Sequence, residues 1–185
     1  MTPRDRIWLV RHAPTAWTGQ RWCGRSDPEL TPSGVAAAAT LAAELAVEVP
    51  TGAVVVTSPL RRALTTADAI AAAIGAAVVL DPDLIEVDFG SVDGLTWDEL
   101  AATHAALANA ILAGDDPDWP DGERAEDVTR RARAASTRIV DLARSGPVVV
   151  VSHGGLLRAL AAALGGDAAH LAPASAIRLE PIPIS

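Results

Sequence analysis

Short, unbroken apolar runs separated by stretches of helical periodicity constrain this chain more than any other feature. Ile7–Val10, Val54–Val56 and Val148–Val151 are continuous rather than alternating, with Val78–Leu80 a further candidate. Strands of that kind are covered on both faces, as in a parallel sheet. Between them lie helical stripes. Thr31-Pro32 has the form of an N-cap with proline at the first helical position, followed by Val35, Ala38, Ala42 and Leu45. Leu60, Leu64, Ala67, Ala71 and Ile74 make a second stripe, stopped by Gly75. Thr96 with Glu99 spells a capping box that opens a helix running to Gly114. Val128, Ala132, Ala135, Ile139 and Leu142 mark a long helix; Leu156, Leu160 and Leu164 mark another, closed by Gly165-Gly166. Ile177 and Leu179 alternate like an edge strand. The expected fold class is α/β: three layers, a mostly parallel sheet flanked by helices, with one antiparallel edge strand. No linker or repeat divides the chain, so residues 1–185 are expected to form a single domain.

Composition narrows the function classes. Half of the 185 residues are hydrophobic and 21% are charged, which excludes general disorder. No apolar run approaches the ~20 residues of a membrane span. The opening residues carry no apolar signal core, so a cytoplasmic protein is expected. The single cysteine, Cys23, forms neither an internal disulfide nor a cysteine-based metal site. A net charge of −8 argues against a general binder of nucleic acid or anionic membrane. All 15 basic residues are arginine. An anion handled by this chain therefore needs a local pocket of arginines against an acidic background.

Ligands of parallel sheets bind beyond the carboxyl ends of the strands. Arg11-His12 follows the first run, Thr57-Ser58 with Arg61-Arg62 the second, and Ser152-His153-Gly154-Gly155 the Val148–Val151 run. Arginine presents a planar fork of donors suited to phosphate oxygens. A neutral imidazole is a competent nucleophile toward phosphorus, and nearby cations disfavour its protonated form. Gly154 and Gly155 are expected to bring helix N-terminal amides to the phosphate. Glu86 is the candidate acid for a leaving alkoxide. A metal site built on His12, His153 and Glu86 is disfavoured: Arg11 places a fixed cation beside it, and no paired-histidine spacing occurs. No metal and no cofactor are expected.

At this point the residues resemble a family. Leu9-Val10-Arg11-His12-Ala13-Pro14-Thr15 resembles the LVRHGET opening of the histidine phosphatase superfamily, which includes the phosphoglycerate mutases. Ser58 to Ala67 resembles its S-x-L-x-R-A-x-x-T-A segment, Leu84 to Gly94 its L-x-E-x-x-F-G-x-x-x-G segment, and Val151 to Gly155 its SHGG segment. The four occur in the family's order, and the resemblance spans Leu9 to Leu179. It implies that His12 accepts the phosphoryl group, that Arg11, Arg62 and His153 form the phosphate pocket, and that Glu86 donates the proton. It also implies substrate contacts at Thr18, Cys23, Gly24, Arg25 and Gly154. The family's Gly and Glu after the first histidine are Ala13 and Pro14 here. Arg124 stands where the family often has serine, at the expected pocket rim. Only about one helix separates Gly94 from Asp121, which favours the phosphatase branch over the longer mutases. The stretch Gly19 to Leu30 is similar to α-ribazole phosphatases. The implied activity is hydrolysis of a small phosphorylated metabolite through a phosphohistidine. Mutase-type transfer and a non-catalytic phosphoester-binding module are the alternatives.

Other residues carry plainer readings. Arg61 is expected on a solvated face, His104 within a helical stripe, and His170 in an exposed loop. Cys23 reads as a small packing residue. The acidic loop Asp115 to Asp121 lacks the spacing of a calcium loop. Trp97 and Trp119 are expected to pack, with the edge of the substrate pocket the alternative place for Trp119.

Overall fold

The computed structural model describes residues 6–115, 117–168 and 171–179. Its sheet contains β1 (Ile7–Arg11), β2 (Val54–Thr57), β3 (Ala77–Leu80), β4 (Val148–Ser152) and β5 (Ser175–Arg178), in the spatial order β3-β2-β4-β1-β5. All pairings are parallel except β1 with β5, where Trp8 faces Arg178 and Arg11 faces Ser175. The antiparallel edge strand is thus the C-terminal one. No helix among the described residues is long and apolar enough to cross a membrane.

Side chains on a strand alternate between faces, and here both faces are covered. Ile7, Leu9, Val56, Val148 and Val150 join one apolar cluster with helices α5 (Ala125–Ser145) and α6 (Gly154–Ala163). Trp8, Val10, Val55, Val149 and Val151 join the other with α1 (Pro32–Glu48) and α2 (Arg61–Ile74). The two-sided burial explains the unbroken valine runs. β3 lies at the other edge and is mostly exposed.

The capping signals hold. The Thr31 side chain accepts from the Gly34 amide at 2.9 Å, Gly75 closes α2 with φ +66°, and Thr96 and Glu99 form both halves of their capping box. The expected helix from Thr96 to Gly114 is two helices, α3 (Trp97–Thr103) and α4 (Ala105–Ala113). His104 leaves the helical region at φ −135°, ψ +54°, and its Nδ1 lies 2.8 Å from the Thr103 hydroxyl. A local side-chain partner of this kind competes with helix continuation. Two stripes hold except at one residue each. Val35 and Leu142 face outward, while Leu41 and Ala143 are buried. On α2 the buried face is Ala63, Ala67, Ile70 and Ala71 together with the polar Arg62 and Thr66. Helix α2 therefore turns a polar edge toward the strand ends. His170 lies outside the described residues.

Candidate active site

The carboxyl ends of β1, β2 and β4 meet where the two apolar clusters part. His12 follows β1 and is 7% exposed. Its Nδ1 lies 2.8 Å from the Ala13 carbonyl. A carbonyl oxygen only accepts, so Nδ1 carries the hydrogen and Nε2 of the neutral ring presents its lone pair. Burial, with the charges of Arg62 and Arg11 behind it, pulls the imidazole down to about 3, against the opposing Ala13 bond. The ring is neutral and nucleophilic across the physiological range. Ala13 sits in this turn without a left-handed backbone, and its amide donates to the Thr66 hydroxyl at 3.0 Å. Replacing the family's glycine costs nothing in backbone conformation here.

His153 follows β4, fully buried, with its ring 5.1 Å from that of His12. Its Nε2 lies 2.7 Å from Ser58 Oγ. Burial first, then the neighbouring positive groups, holds it well below its ordinary value. Arg62 is fully buried and donates to the carbonyls of Ser26 (2.6 Å), Gly24 (2.8 Å) and Cys23 (3.3 Å), pairing also with Asp27 at 3.5 Å. It pins the 23–27 loop against α2. Arg11 donates to the Leu171 carbonyl at 3.1 Å. Burial lowers its pKa and the Glu86 charge opposes that shift. Three buried nitrogens in this cluster, Arg11 Nε, Arg62 Nε and His153 Nδ1, have no hydrogen-bond partner among the described residues.

Glu86 corrects one expectation. Its carboxylate accepts from the amides of Val87 (2.9 Å), Leu156 (3.0 Å) and Gly155 (3.2 Å). The Gly155 and Leu156 amides, in the first turn of α6, are thus committed to Glu86 rather than to a phosphate, while Gly154 lines the cavity. A Cβ on Gly155 would lie 2.8 Å from Glu86 Oε1 and 3.0 Å from Val87 Cγ2, so a larger residue there displaces the carboxylate.

A cavity of about 740 Å³ opens over the cluster. Arg11, His12, Glu86, Thr18, Cys23 and Gly154 line it, while Arg62 and His153 lie behind its surface. Gly24 is buried: its amide donates to Asp93 at 3.0 Å, and a Cβ there would meet the Val87 carbonyl at 2.6 Å. Arg25 turns to Glu123 at 3.4 Å rather than into the cavity. Thr18 lines the wall, but its hydroxyl accepts from the Thr15 amide at 2.9 Å. Burial raises the Cys23 thiol to about 11, in keeping with a packing role. Arg124 points to Glu126 at 3.7 Å, and Arg61 is exposed beside Glu29. Among the described residues, no three His, Cys, Asp or Glu side chains converge as a metal site. Ser58, expected only as a strand-end residue, and Thr66, only a letter of the motif, take their contacts with His153 and Ala13 from the fold.

The model of the histidine phosphatase superfamily (branch 1) matches residues 7–180. The chain belongs to the histidine phosphatase superfamily. It is 39% identical over 149 residues to the bifunctional protein Rv2228c of Mycobacterium tuberculosis, covering 80% of this chain. The chain spans only 41% of that relative's length. It is 32% identical to a probable phosphoglycerate mutase GpmB of Cronobacter sakazakii, over 89% of this chain and 77% of the relative. Among solved structures, a mycobacterial glucosyl-3-phosphoglycerate phosphatase, Rv2419c, complexed with VO3, superposes with a TM-score of 0.73 at 33% identity, covering 85% of this chain and 80% of that one.

Proposed function

We propose that this histidine phosphatase domain, taken as one unit, hydrolyses a phosphomonoester of a small metabolite in two steps. His12 Nε2 attacks phosphorus, the P–O ester bond breaks, and Glu86 gives a proton to the departing alkoxide. A water deprotonated by Glu86 then attacks the phosphohistidine, the N–P bond breaks, and inorganic phosphate leaves. Arg11, Arg62 and His153 stabilise the transferring group. Thr18, Cys23 and Gly154 are the proposed substrate contacts on the wall.

The observation that carries this reading is the set of buried, unpartnered nitrogens of Arg11, Arg62 and His153 around one neutral imidazole. A buried polar group without a partner costs about 1–3 kcal/mol. The equatorial oxygens of a phosphoryl group supply partners to such donors. His12→Ala abolishes turnover of an aryl phosphate, and Arg62→Ala lowers it by about 10²–10³. Hydrolysis by the purified His12 variant at the wild-type rate refutes the mechanism.

A mutase reading draws on the GpmB relative, which covers most of the chain. Incubation with 3-phosphoglycerate and a bisphosphoglycerate primer separates the two by product, isomer against inorganic phosphate. α-Ribazole phosphate and glucosyl-3-phosphoglycerate belong in the same substrate panel.

A further inference from the structure

The chain holds only six aromatic residues of the Phe, Trp and Tyr types: five tryptophans and one phenylalanine. Five of the six, Trp17, Trp22, Phe89, Trp97 and Trp119, line the cavity over His12. The sixth, Trp8, is sealed in the sheet core. Four of the five make one continuous wall. Phe89 and Trp119 have centroids 4.4 Å apart, Trp22 lies 5.4 Å from each, and Trp97 lies 6.4 Å from Trp22. These rings are brought together from separate loops and the start of α3. Were they only a packing cluster they would be closed off, yet Trp97 is 39% exposed and Trp22 and Trp119 are half-buried. The cavity volume of about 740 Å³ lies well within the range that encloses drug-sized ligands and is far more than a three-carbon phosphoester fills. The lining charges away from His12 are Arg21, Arg133 and Arg158 against Asp115.

We propose that the alcohol half of the substrate is an aromatic ring system, seated against the Trp22–Phe89–Trp97–Trp119 wall while its phosphoryl group meets His12. This rests on the phosphatase reading for the position of the phosphoryl group. Offset and edge-on ring contacts favour such a body beyond the area it buries.

The test compares 2-naphthylmethyl phosphate with glycerol 3-phosphate, two esters that expel alkoxides of similar basicity. Wild type prefers the naphthylmethyl ester by at least 100-fold in kcat/KM. Trp119→Ala, and independently the more exposed Trp97→Ala, lower kcat/KM for that ester about tenfold, mainly through KM, and affect glycerol 3-phosphate less. Calorimetric titration of the His12→Ala variant gives at least tenfold tighter binding of the naphthylmethyl ester. Equal turnover of both esters, or equal losses in the Trp variants, overturns the aromatic assignment and leaves the phosphatase reading standing. Turnover of neither ester with the binding preference intact removes the phosphatase reading and upholds the assignment. Equal binding of the two esters overturns the assignment whatever the turnover.

Discussion

The bond from His12 Nδ1 to its neighbouring carbonyl fixes which nitrogen faces the cavity, and burial fixes that nitrogen's charge. Two consequences are measurable. The His12 ring does not titrate between pH 8 and pH 5, so its imidazole proton shifts stay constant there by NMR. Stability carries the same signature. The folded-state pKa is depressed to about 3 from the ordinary 6.5, so below pH 6.5 the unfolded chain binds more protons. Stability is complete above that value and falls with pH, by about 1.4 kcal/mol per pH unit for one such histidine. His153, also depressed, acts in the same direction. Urea unfolding at pH 7 and pH 5 shows the loss, and His12→Gln flattens the slope by one proton. His12, Arg11 and His153 were legible in the sequence because each falls just at the end of an apolar run, where a parallel sheet places its ligands. Ser58 follows such a run as well, but nothing local names its partner, and Thr66 lies inside α2. Their partners stand 95 and 53 positions away, and only the folded chain brings His153 to one and Ala13 to the other.

Caps and turns were readable at the scale of elements, because their chemistry is local. Thr31, Gly75 and the Thr96–Glu99 box act within one turn of themselves. The buried faces of α1 and α2 were not readable to the residue. Alanine fills either side of such helices, and the burial of Arg62 and Thr66 is a tertiary demand that no apolar stripe records. One crossing of segments shows how tight the loops are. Gly90 has φ +54°, and a Cβ there would lie 2.0 Å from the Pro120 carbonyl. A Cβ on Gly122 would lie 2.4 Å from the Asp88 carbonyl. Gly52 has φ +83° but open space around it. Gly52→Ala therefore costs only the left-handed penalty, about 1 kcal/mol, whereas Gly90→Ala costs ~3 kcal/mol or more. Denaturant titration of the two variants side by side measures the difference as the contribution of the crossing.

At the scale of the molecule, the sheet order β3-β2-β4-β1-β5 sets three parallel strands, β2, β4 and β1, side by side with their carboxyl ends at one rim. That arrangement was legible from the valine runs and from where the basic residues follow them. The cavity above the rim was not, because helices α5 and α6 supply one part of its wall and another part, Trp17 to Cys23 with Phe89 and Trp119, comes from loops whose sequence carries no period. Among the described residues, the guanidinium groups of Arg62 and Arg11 rather than a cluster of metal ligands stand by His12. Phosphatase activity accordingly survives EDTA, and a collapse on chelation restored by added metal would point to a different chemistry.

Four of the five indoles border one hollow and the fifth, Trp8, is shut away beneath the guanidinium of Arg178, 5.2 Å from its ring. Ultraviolet emission from this molecule is consequently an optical report on that hollow rather than an average over the whole. Any occupant that displaces water from the indole faces changes the colour and intensity of the emitted light, without a label and without a reaction.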